Sequence, residues 1–294
     1  MTDARELTTT LGGRWHGRYG AAPCPVCQSR QWRHANALTL ADGATGRLVA
    51  HCKKSACGFT DILAAAGLRP GDYAAPDPLT LARREAEMKA DALRRAMAAE
   101  KIWREAEPIG GTLAETYLQS RGIDCPLPKT LRFHGACWHG ATRQAWPAMI
   151  ALIEGGEGYA VHRTYLRPDG QGKASVEPAK AMLGAAAGGA VRLTDGPSRL
   201  VIGEGIESTL SLACGLLDGP ATLWAGLSTS GMRGLRLPAN PGSLTVACDG
   251  DRPGREAAHA LAGRAHGLGW RVEMLDPGAA RDFNDVLMQR RVAA

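Results

Sequence analysis

Long hydrophobic runs are missing from this sequence. No stretch approaches the roughly 18 uninterrupted apolar residues that a membrane-spanning helix requires. The first residues, MTDARE, lack a charged segment that leads into an apolar core and a small-residue cleavage site, so we expect a soluble, cytoplasmic protein with no membrane partner. An internal repeat and a G-x4-G-K-[ST] phosphate loop are also missing, which excludes a solenoid and an ATP-driven helicase motor.

What the sequence does contain is typical of globular proteins. Of its 294 residues, 45% are hydrophobic and 22% are charged, and the length suffices for two to three small domains that each bury a core. Lysine and arginine outnumber aspartate and glutamate by 35 to 29, a net charge of +6. This mild excess suits a polyanionic partner, but many proteins without one share it, so the charge alone decides nothing about function.

The 8 cysteines fall into two groups. Four stand singly in the chain, and in a reducing compartment we expect them to be small buried apolar residues: Cys125, Cys137, Cys214 and Cys248. The other four have the spacing of metal ligands: Cys24, Cys27, Cys52 and Cys57. Two thiol pairs at this spacing predict one zinc ion held by four thiolates.

The segment between the two cysteine pairs predicts a β-hairpin, because strand-like runs at 37–40 and 47–50 flank the turn signal Asp42-Gly43. A C-x2-C turn, a hairpin and a second cysteine pair are the parts of a zinc ribbon, which is too small to hold a core without its metal. The second pair is C-x4-C rather than the commoner C-x2-C, which leaves His51 as an alternative ligand. A set of unrelated buried thiols is the alternative to a metal site.

Basic and aromatic residues are interleaved around these cysteines. Proteins that bind single-stranded DNA use such residues to stack on exposed bases and to contact phosphates. A solvated basic face with a few packing aromatics explains the same residues equally well. The residues are Arg14, Trp15, His16, Arg18, Tyr19, Arg30, Trp32, Arg33 and His34.

Composition divides the chain into four predicted segments. Residues 1–68 contain the zinc ribbon, and residues 69–107 contain a Pro/Gly-rich linker and a connecting helix that is rich in Ala, Arg and Glu. Residues 108–197 mix helix and strand signals, including a hairpin. Residues 198–294 alternate strands with helices, which predicts an α/β domain with a parallel sheet and flanking helices.

Acidic residues directly follow two predicted strands of this last segment. Glu204 follows the apolar run 200–203, while Asp249 and Asp251 follow the run 243–248. The carboxyl ends of parallel strands meet at one edge of a sheet, where open α/β proteins place their reactive groups. Three carboxylates in one place repel one another unless a cation neutralises them, and oxygen ligands prefer Mg²⁺ or Mn²⁺. We therefore predict a magnesium or manganese site.

Other polar residues extend this predicted site. Asp282 and Asp285 follow a further strand, 271–275, and either complete the metal site or cap the last helix. Four basic residues near hairpin ends contact phosphates if they face a common cleft, and are ordinary surface residues if they do not: His162, Arg163, Lys173 and Lys180.

The unit of strand, glutamate, glycine and helix, followed by Asp-x-Asp, resembles the Toprim domain of primases, topoisomerases and certain nucleases. In that family these acids hold the catalytic metal, so the resemblance assigns Glu204, Asp249 and Asp251 to it, together with Asp282. A zinc ribbon, a mixed α+β segment and a Toprim domain, in this order, resemble bacterial and phage DNA primases over nearly the whole chain. Two departures are the C-x4-C spacing and the missing helicase half of fused phage primases. Glu207 lies one residue away from the second acidic position of many relatives.

The resemblance implies a DNA primase that makes short RNA primers on single-stranded DNA by metal-dependent nucleotidyl transfer. It implies that Lys180 and Arg163 position the phosphates of template or nucleoside triphosphate, that the zinc ribbon selects the start site, and that a replicative helicase acts in trans. Two alternatives stay open. One is a Toprim-type nuclease with the same metal, and the other is a non-catalytic module that binds single-stranded DNA or recruits a helicase.

Overall fold

The computed structural model describes residues 2–28, 36–43, 47–69, 71–197 and 199–293. Its chain divides into two units, Met1–Asp91 and Ala92–Ala294, and each is described by itself below. The division falls inside one long helix, and the predicted boundaries at 68, 107 and 197 stay predictions. Four of the residues predicted to contact DNA lie outside the described ranges: Arg30, Trp32, Arg33 and His34.

The first unit is built on a small antiparallel sheet. Strands β3 and β4 form the predicted hairpin, paired from Leu38 opposite Cys52 to Asp42 opposite Leu48, and the sheet order is β1-β2-β3-β4. The elements are α1 (Ala4–Thr10), β1 (Arg14–Trp15), β2 (Gly20–Ala22), β3 (Leu38–Asp42), β4 (Leu48–Cys52), α2 (Phe59–Ala65) and the first part of α3 (Pro78–Glu105).

Asp42 ties the helices of this unit to its hairpin. Its carboxylate accepts hydrogen bonds from the backbone N–H of Ala4 and from the hydroxyl of Tyr73, each at 3.0 Å, and it pairs with Arg84 of α3. The apolar core beside it is small and includes two of the metal-ligand cysteines: Ala4, Leu7, Cys24, Leu38, Leu40, Leu48, Cys52 and Ile62. So few buried side chains provide little hydrophobic stabilisation.

The second unit begins with an antiparallel sheet in the order β5-β6-β7-β8-β9. Its elements are β5 (Glu107–Pro108), α4 (Leu113–Ser120), β6 (Leu131–His139), β7 (Gln144–Ile153), β8 (Ala160–Tyr165) and β9 (Lys180–Gly184), and β7 with β8 is the predicted hairpin. Side chains alternate between its two faces. One face packs against Ile102 and Trp103 of α3, and the other contributes Met149 and Ala151 to the main core of the unit.

A second sheet has the predicted α/β architecture. Its order is β10-β12-β11-β13-β14, and β10 is an antiparallel edge beside four parallel strands. Its elements are β10 (Val191–Thr194), β11 (Leu200–Gly203), α5 (Ile206–Ser211), β12 (Thr222–Ala225), α6 (Thr229–Gly234), β13 (Ser243–Ala247), α7 (Arg252–Gly267), β14 (Arg271–Leu275) and α8 (Phe283–Ala293). Helices α5 and α8 join the main core, and α7 packs in a second core. The fold class predicted from the sequence is confirmed.

Two local predictions were wrong. The amphipathic pattern of 206–217 predicts one helix over that range, but the helix ends at Ser211, and Leu212–Leu216 form a distorted turn in which Gly215 has φ +94°, a conformation that favours glycine. Cys125 and Cys214 are only partly buried, unlike the buried Cys137 and Cys248. In the parts of the chain that the structure describes, no helix combines the length and the apolar character needed to cross a membrane.

Candidate active site and metal centres

The predicted acidic residues lie at the carboxyl ends of two adjacent strands. Strands β11 and β13 pair in parallel, with Ile202 opposite Val246, so Glu204 and Asp249 follow neighbouring strand ends. The turn after Asp249 needs a glycine, because a Cβ on Gly250 would overlap the carbonyl oxygens of Gly278 and Arg281. The backbone N–H of Gly250 instead donates to Arg281 O at 2.7 Å, which brings the loop before Asp282 against this turn.

We call Glu204, Asp249 and Asp251 the acidic cluster. The carboxylates of this cluster disfavour one another's charge. Burial raises the pKa of Glu204 to about 7, and the charges of Asp249 and Asp251 add to the shift. Burial raises the pKa of Asp249 to about 6, with further contributions from Asp282 and Asp251. Buried carboxylates in this arrangement are stabilised by a cation.

Asp249 supplies the clearest test of whether a metal fits. Its Oδ1 is buried and has no hydrogen-bond partner within the described ranges, and the hydroxyl of Ser208 donates to its carboxylate. An unpaired buried carboxylate oxygen is costly without a cation. These oxygen donors fit Mg²⁺ or Mn²⁺, although in the described residues only the four cysteines have ligand atoms all within 4.8 Å of one another.

Three of the acidic residues also cap helices. Asp251 accepts a hydrogen bond from the backbone N–H of Gly254 at 2.7 Å and is the N-cap of α7. Asp282 and Asp285 bond reciprocally at the start of α8, since each backbone N–H donates to the other side chain, at 3.0 and 2.8 Å. The capping role considered for Asp285 is therefore present in the structure, and the metal role of both residues stays a prediction.

Glu207 lies in a buried polar network next to the acidic cluster. Only 5% of its surface is exposed, its Oε1 accepts a hydrogen bond from Tyr117 Oη at 2.6 Å, and Lys173 Nζ forms an ion pair with the same oxygen at 3.1 Å. Burial alone would raise the pKa of Glu207, but Lys173, Lys180 and Tyr117 lower it to about 2. Lys173 is therefore committed to an ion pair that joins the antiparallel sheet to α5.

The other predicted basic residues divide between the two faces of the sheet. Thr164 pairs with Lys180 and His162 pairs with Met182, so Lys180 and His162 share a face. The positive charge of Lys180 lowers the pKa of both Glu204 and Asp249, which burial and the neighbouring acids raise.

Arg163 points to the opposite face from His162. Its guanidinium lies 5.8 Å from the ring of Tyr165 and bonds to Trp138 O at 3.4 Å. His162 is buried, which lowers its pKa to about 4, and its Nδ1 has no partner among the described residues. The structure thus brings Lys173, Lys180 and His162 to one side and leaves Arg163 on the other. Their contact with nucleic acid stays a prediction.

The four cysteines of the first unit form a candidate zinc centre. Their sulfur atoms lie within 4.8 Å of one another, and Cys27 Sγ lies 3.5 Å from Cys52 Sγ. A tetrahedral zinc with bonds of roughly 2.3 Å separates its sulfur ligands by roughly 3.8 Å, so the cluster fits the ion. His51 is exposed on β4 and does not belong to the cluster. Burial raises the pKa of Cys52, but the backbone N–H groups of Ser55, Cys57 and Lys54 lower it to about 6.

Three residues of the site were missed by sequence reasoning. Tyr117 of α4 binds Glu207, Ser208 of α5 binds Asp249, and the backbone N–H of Thr229 bonds to the Glu204 carboxylate. Ser208 carries a local signal, because it lies in the first turn of α5, four residues after Glu204 in the sequence. Tyr117 and Thr229 carry no such signal, since only the pairing of the strands brings them to the acids.

Two family models match the second unit. A model described as a Toprim domain matches residues 199–292, and a model described as a domain of unknown function matches residues 93–193. The acidic cluster lies entirely within the Toprim match. No curated protein matches the sequence.

Solved structures of DNA primases show distant similarity. A DNA primase domain from Pseudomonas aeruginosa is 15% identical, with a TM-score of 0.34, and the match covers 61% of this chain and 56% of that one. The RNA polymerase domain of the Mycobacterium tuberculosis primase is 14% identical, with a TM-score of 0.38 and coverage of 68% and 79%. The zinc-binding and RNA polymerase domains of the Aquifex aeolicus primase are 12% identical, with a TM-score of 0.41 and coverage of 98% and 83%. The assignment of residues 199–292 therefore depends on the family model.

Proposed function

Residues 199–292 form a Toprim domain, and from this premise we propose that the protein is a DNA primase. It makes short RNA primers on single-stranded DNA by metal-dependent nucleotidyl transfer. The observation that carries this proposal is the acidic cluster: Glu204, Asp249 and Asp251 follow two adjacent parallel strands, and the first two have raised pKa values because burial and mutual repulsion disfavour their charges. Such a cluster binds a divalent cation.

In this proposal Glu204, Asp249 and Asp251 hold the Mg²⁺ or Mn²⁺. The ion, when bound, activates the primer 3′ hydroxyl and neutralises charge on the incoming triphosphate. Lys180 lies close enough to act on the pKa values of Glu204 and Asp249, so its ammonium group is available to orient a phosphate next to the metal. Asp249 Oδ1 is buried and has no protein donor among the described residues, so it would be free to bind the cation.

The four-cysteine cluster supports the primase over a nuclease. A zinc-stabilised hairpin with exposed basic and aromatic residues suits recognition of unpaired template bases, which a primase needs in order to start at a defined sequence. Tyr19, with 43% exposure, stacks against His16 at 5.3 Å in this unit. Single-stranded DNA, nucleoside triphosphates and a replicative helicase in trans are the partners that this function requires.

Primer synthesis on single-stranded templates with labelled ribonucleotides and Mg²⁺ or Mn²⁺ tests the proposal. We expect Asp249→Asn and Glu204→Gln to lower the rate by at least about a hundredfold, because each removes a charge from the metal site. Asp218→Asn is the matched control, since this exposed carboxylate lies before β12, away from the acidic strand ends. Full synthesis by either acidic-site variant would refute the assignment.

Incubation of the protein with DNA in the absence of nucleotides distinguishes primer synthesis from DNA cleavage. A primase leaves single-stranded and duplex DNA intact when it is incubated with Mg²⁺ or Mn²⁺ without nucleotides. Cleavage under those conditions, abolished by Asp249→Asn, would identify a nuclease instead.

A further inference from the structure

A cavity of about 430 Å³ lies between β9 and the start of α6, where Leu227 and Thr229 bind Glu204. One wall is formed by β9 and the segment that follows it, and the other by the start of α6 and the residues after it. The lining residues that the argument uses are Met182, Gly188, Ser228, Ser230, Gly234 and Arg236. Its volume is within the range of about 300 to 1,000 Å³ that is typical of small-molecule sites.

Both walls of this cavity are connected to the acidic cluster. On the α6 side, the N–H of Leu227 donates to Glu204 O at 2.7 Å, and the N–H of Thr229 bonds to the Glu204 carboxylate. Leu227 has φ +70°, a strained conformation for a leucine, so the backbone that makes these contacts carries a conformational free-energy cost. On the β9 side, Met182 lies two residues from Lys180 and its side chain shares that face.

The cavity lining differs in character from the acidic cluster. Ser228 and Ser230 present hydroxyls that lie 3.1 Å apart, and Met182, 43% exposed, presents a flexible apolar surface. The charged groups among the lining residues, Arg236 and Glu157, lie 3.9 Å apart and neutralise each other. An uncharged ring with attached hydroxyls matches this lining, whereas a triphosphate does not.

We propose that this cavity binds the nucleoside part of a nucleoside triphosphate whose phosphates lie at the acidic cluster. This inference depends on the proposed function, since it names the subsite that holds the base and ribose of the substrate. Met182 contacts the face of the base, and the hydroxyls of Ser228 and Ser230 bond to polar atoms of the nucleoside. The cavity thus binds the uncharged nucleoside, and the acidic cluster binds the charged phosphates through the metal.

Gly234 allows the cavity to be filled without disturbing the fold. A Cβ on Gly234 would meet no atom within 4 Å, so Gly234→Leu adds its side chain to open space at the cavity wall. Gly263 in α7 is the matched control, because a Cβ there also meets no atom within 4 Å and Gly263 does not line the cavity. Met182→Ala is a second variant, which removes the apolar surface instead of filling the space.

The experiment measures binding of ATP and of inorganic tripolyphosphate to the full chain in the presence of Mn²⁺. We expect Gly234→Leu and Met182→Ala to weaken ATP binding by about tenfold or more and to leave tripolyphosphate binding within about twofold of the original chain. Gly263→Leu should change neither. Equal loss of both ligands would mean that the substitutions disturb the acidic cluster, and unchanged ATP binding would mean that the nucleoside lies elsewhere. Either result overturns the inference.

The failure of this inference is distinguishable from failure of the proposed function. If the unaltered chain makes primers and Gly234→Leu binds ATP normally, only the subsite is wrong. If the unaltered chain binds neither ATP nor tripolyphosphate with Mn²⁺, the proposed function itself is wrong.

Discussion

The two candidate metal sites of this molecule are built in opposite ways. The four cysteines come from two turns and a hairpin close in sequence, and two of them belong to an apolar core of eight buried residues within the described part of the first unit. The acids follow strands that are far apart in sequence, and the described residues around them form a core of 24 buried residues. A site with so little core around it depends on its metal to fold, whereas a site on a large core depends on its metal only for chemistry.

This difference also decides how each site responds without a cation. If the four thiols bind zinc, we expect its loss to remove the main support of the small unit. Carboxylates that lose magnesium repel one another, but the sheet below them stays packed because its apolar contacts are independent of the ion. The comparison therefore predicts loss of structure in one unit and only a change of electrostatics in the other.

Removing a zinc ligand is expected to have the largest effect. Cys52→Ala takes away a buried thiol of the four-sulfur cluster, and we expect the first unit to lose its stable fold, since domains of this kind are unfolded without metal. Hydrogen exchange with mass spectrometry should show rapid exchange in β3 and β4 and unchanged protection in β11 and β13. Cys137→Ala is the control, because this buried cysteine lies in the second unit. Protection of β3 and β4 that survives Cys52→Ala would contradict the comparison.

Glu207→Gln is expected to destabilise the second unit by about 2 to 3 kcal/mol, because it leaves Lys173 without its buried partner. A destabilisation of this size would show that the second unit is stabilised by the buried Glu207–Lys173 ion pair rather than by a metal ion. Urea unfolding followed by tryptophan fluorescence measures the effect. Glu273→Gln, an exposed position on β14, should change the free energy of unfolding by less than about 0.5 kcal/mol.

The pH dependence of the Glu207 effect has a definite sign. The pKa of Glu207 in the folded protein is about 2, below its ordinary value of 4.5, so its contribution is fully present above pH 4.5 and is lost as the pH falls toward 2. The difference in unfolding free energy between the original chain and Glu207→Gln should therefore shrink over that range. A constant difference from pH 6 to pH 3 would argue against the ion pair.

Unlike Glu207→Gln, Asp249→Asn should not lower the free energy of unfolding. Without divalent cations, it removes a charge that burial and the neighbouring acids disfavour, so we expect the unfolding free energy to stay unchanged or to rise by about 1 kcal/mol. Added Mn²⁺ should raise the melting temperature of the original chain and not that of the variant. A variant that is less stable than the original chain by about 2 kcal/mol in EDTA would mean that Asp249 supports the fold.

The same contrast explains how much could be predicted from the sequence. The cysteine cluster is local, so spacing and one hairpin signal were enough to predict it, and the α/β alternation predicted the sheet and its acidic strand ends. Tyr117 and Thr229 reach the acids only through strand order, which one sequence does not display. The end of α5 at Ser211 was missed because the apolar pattern of 206–217 continues past it.

Cys214 extends the comparison to a single thiol. Like Cys52 it has a lowered pKa, but among the described residues it does not belong to the four-cysteine cluster. A hydrogen bond with the Cys125 thiol is the main cause that holds the pKa of Cys214 below its ordinary value. Cys214 is partly exposed, whereas burial raises the pKa values of Cys137 and Cys248.

We expect iodoacetamide at pH 7.5 to alkylate Cys214 at least about tenfold faster than Cys137 or Cys248, since the thiolate is the nucleophile. Cys125→Ala should slow that reaction, because it removes the hydrogen bond that stabilises the thiolate. Mass spectrometry of the alkylated peptides measures both rates. Equal rates at the three cysteines would mean that exposure and hydrogen bonding do not set thiol reactivity in the second unit.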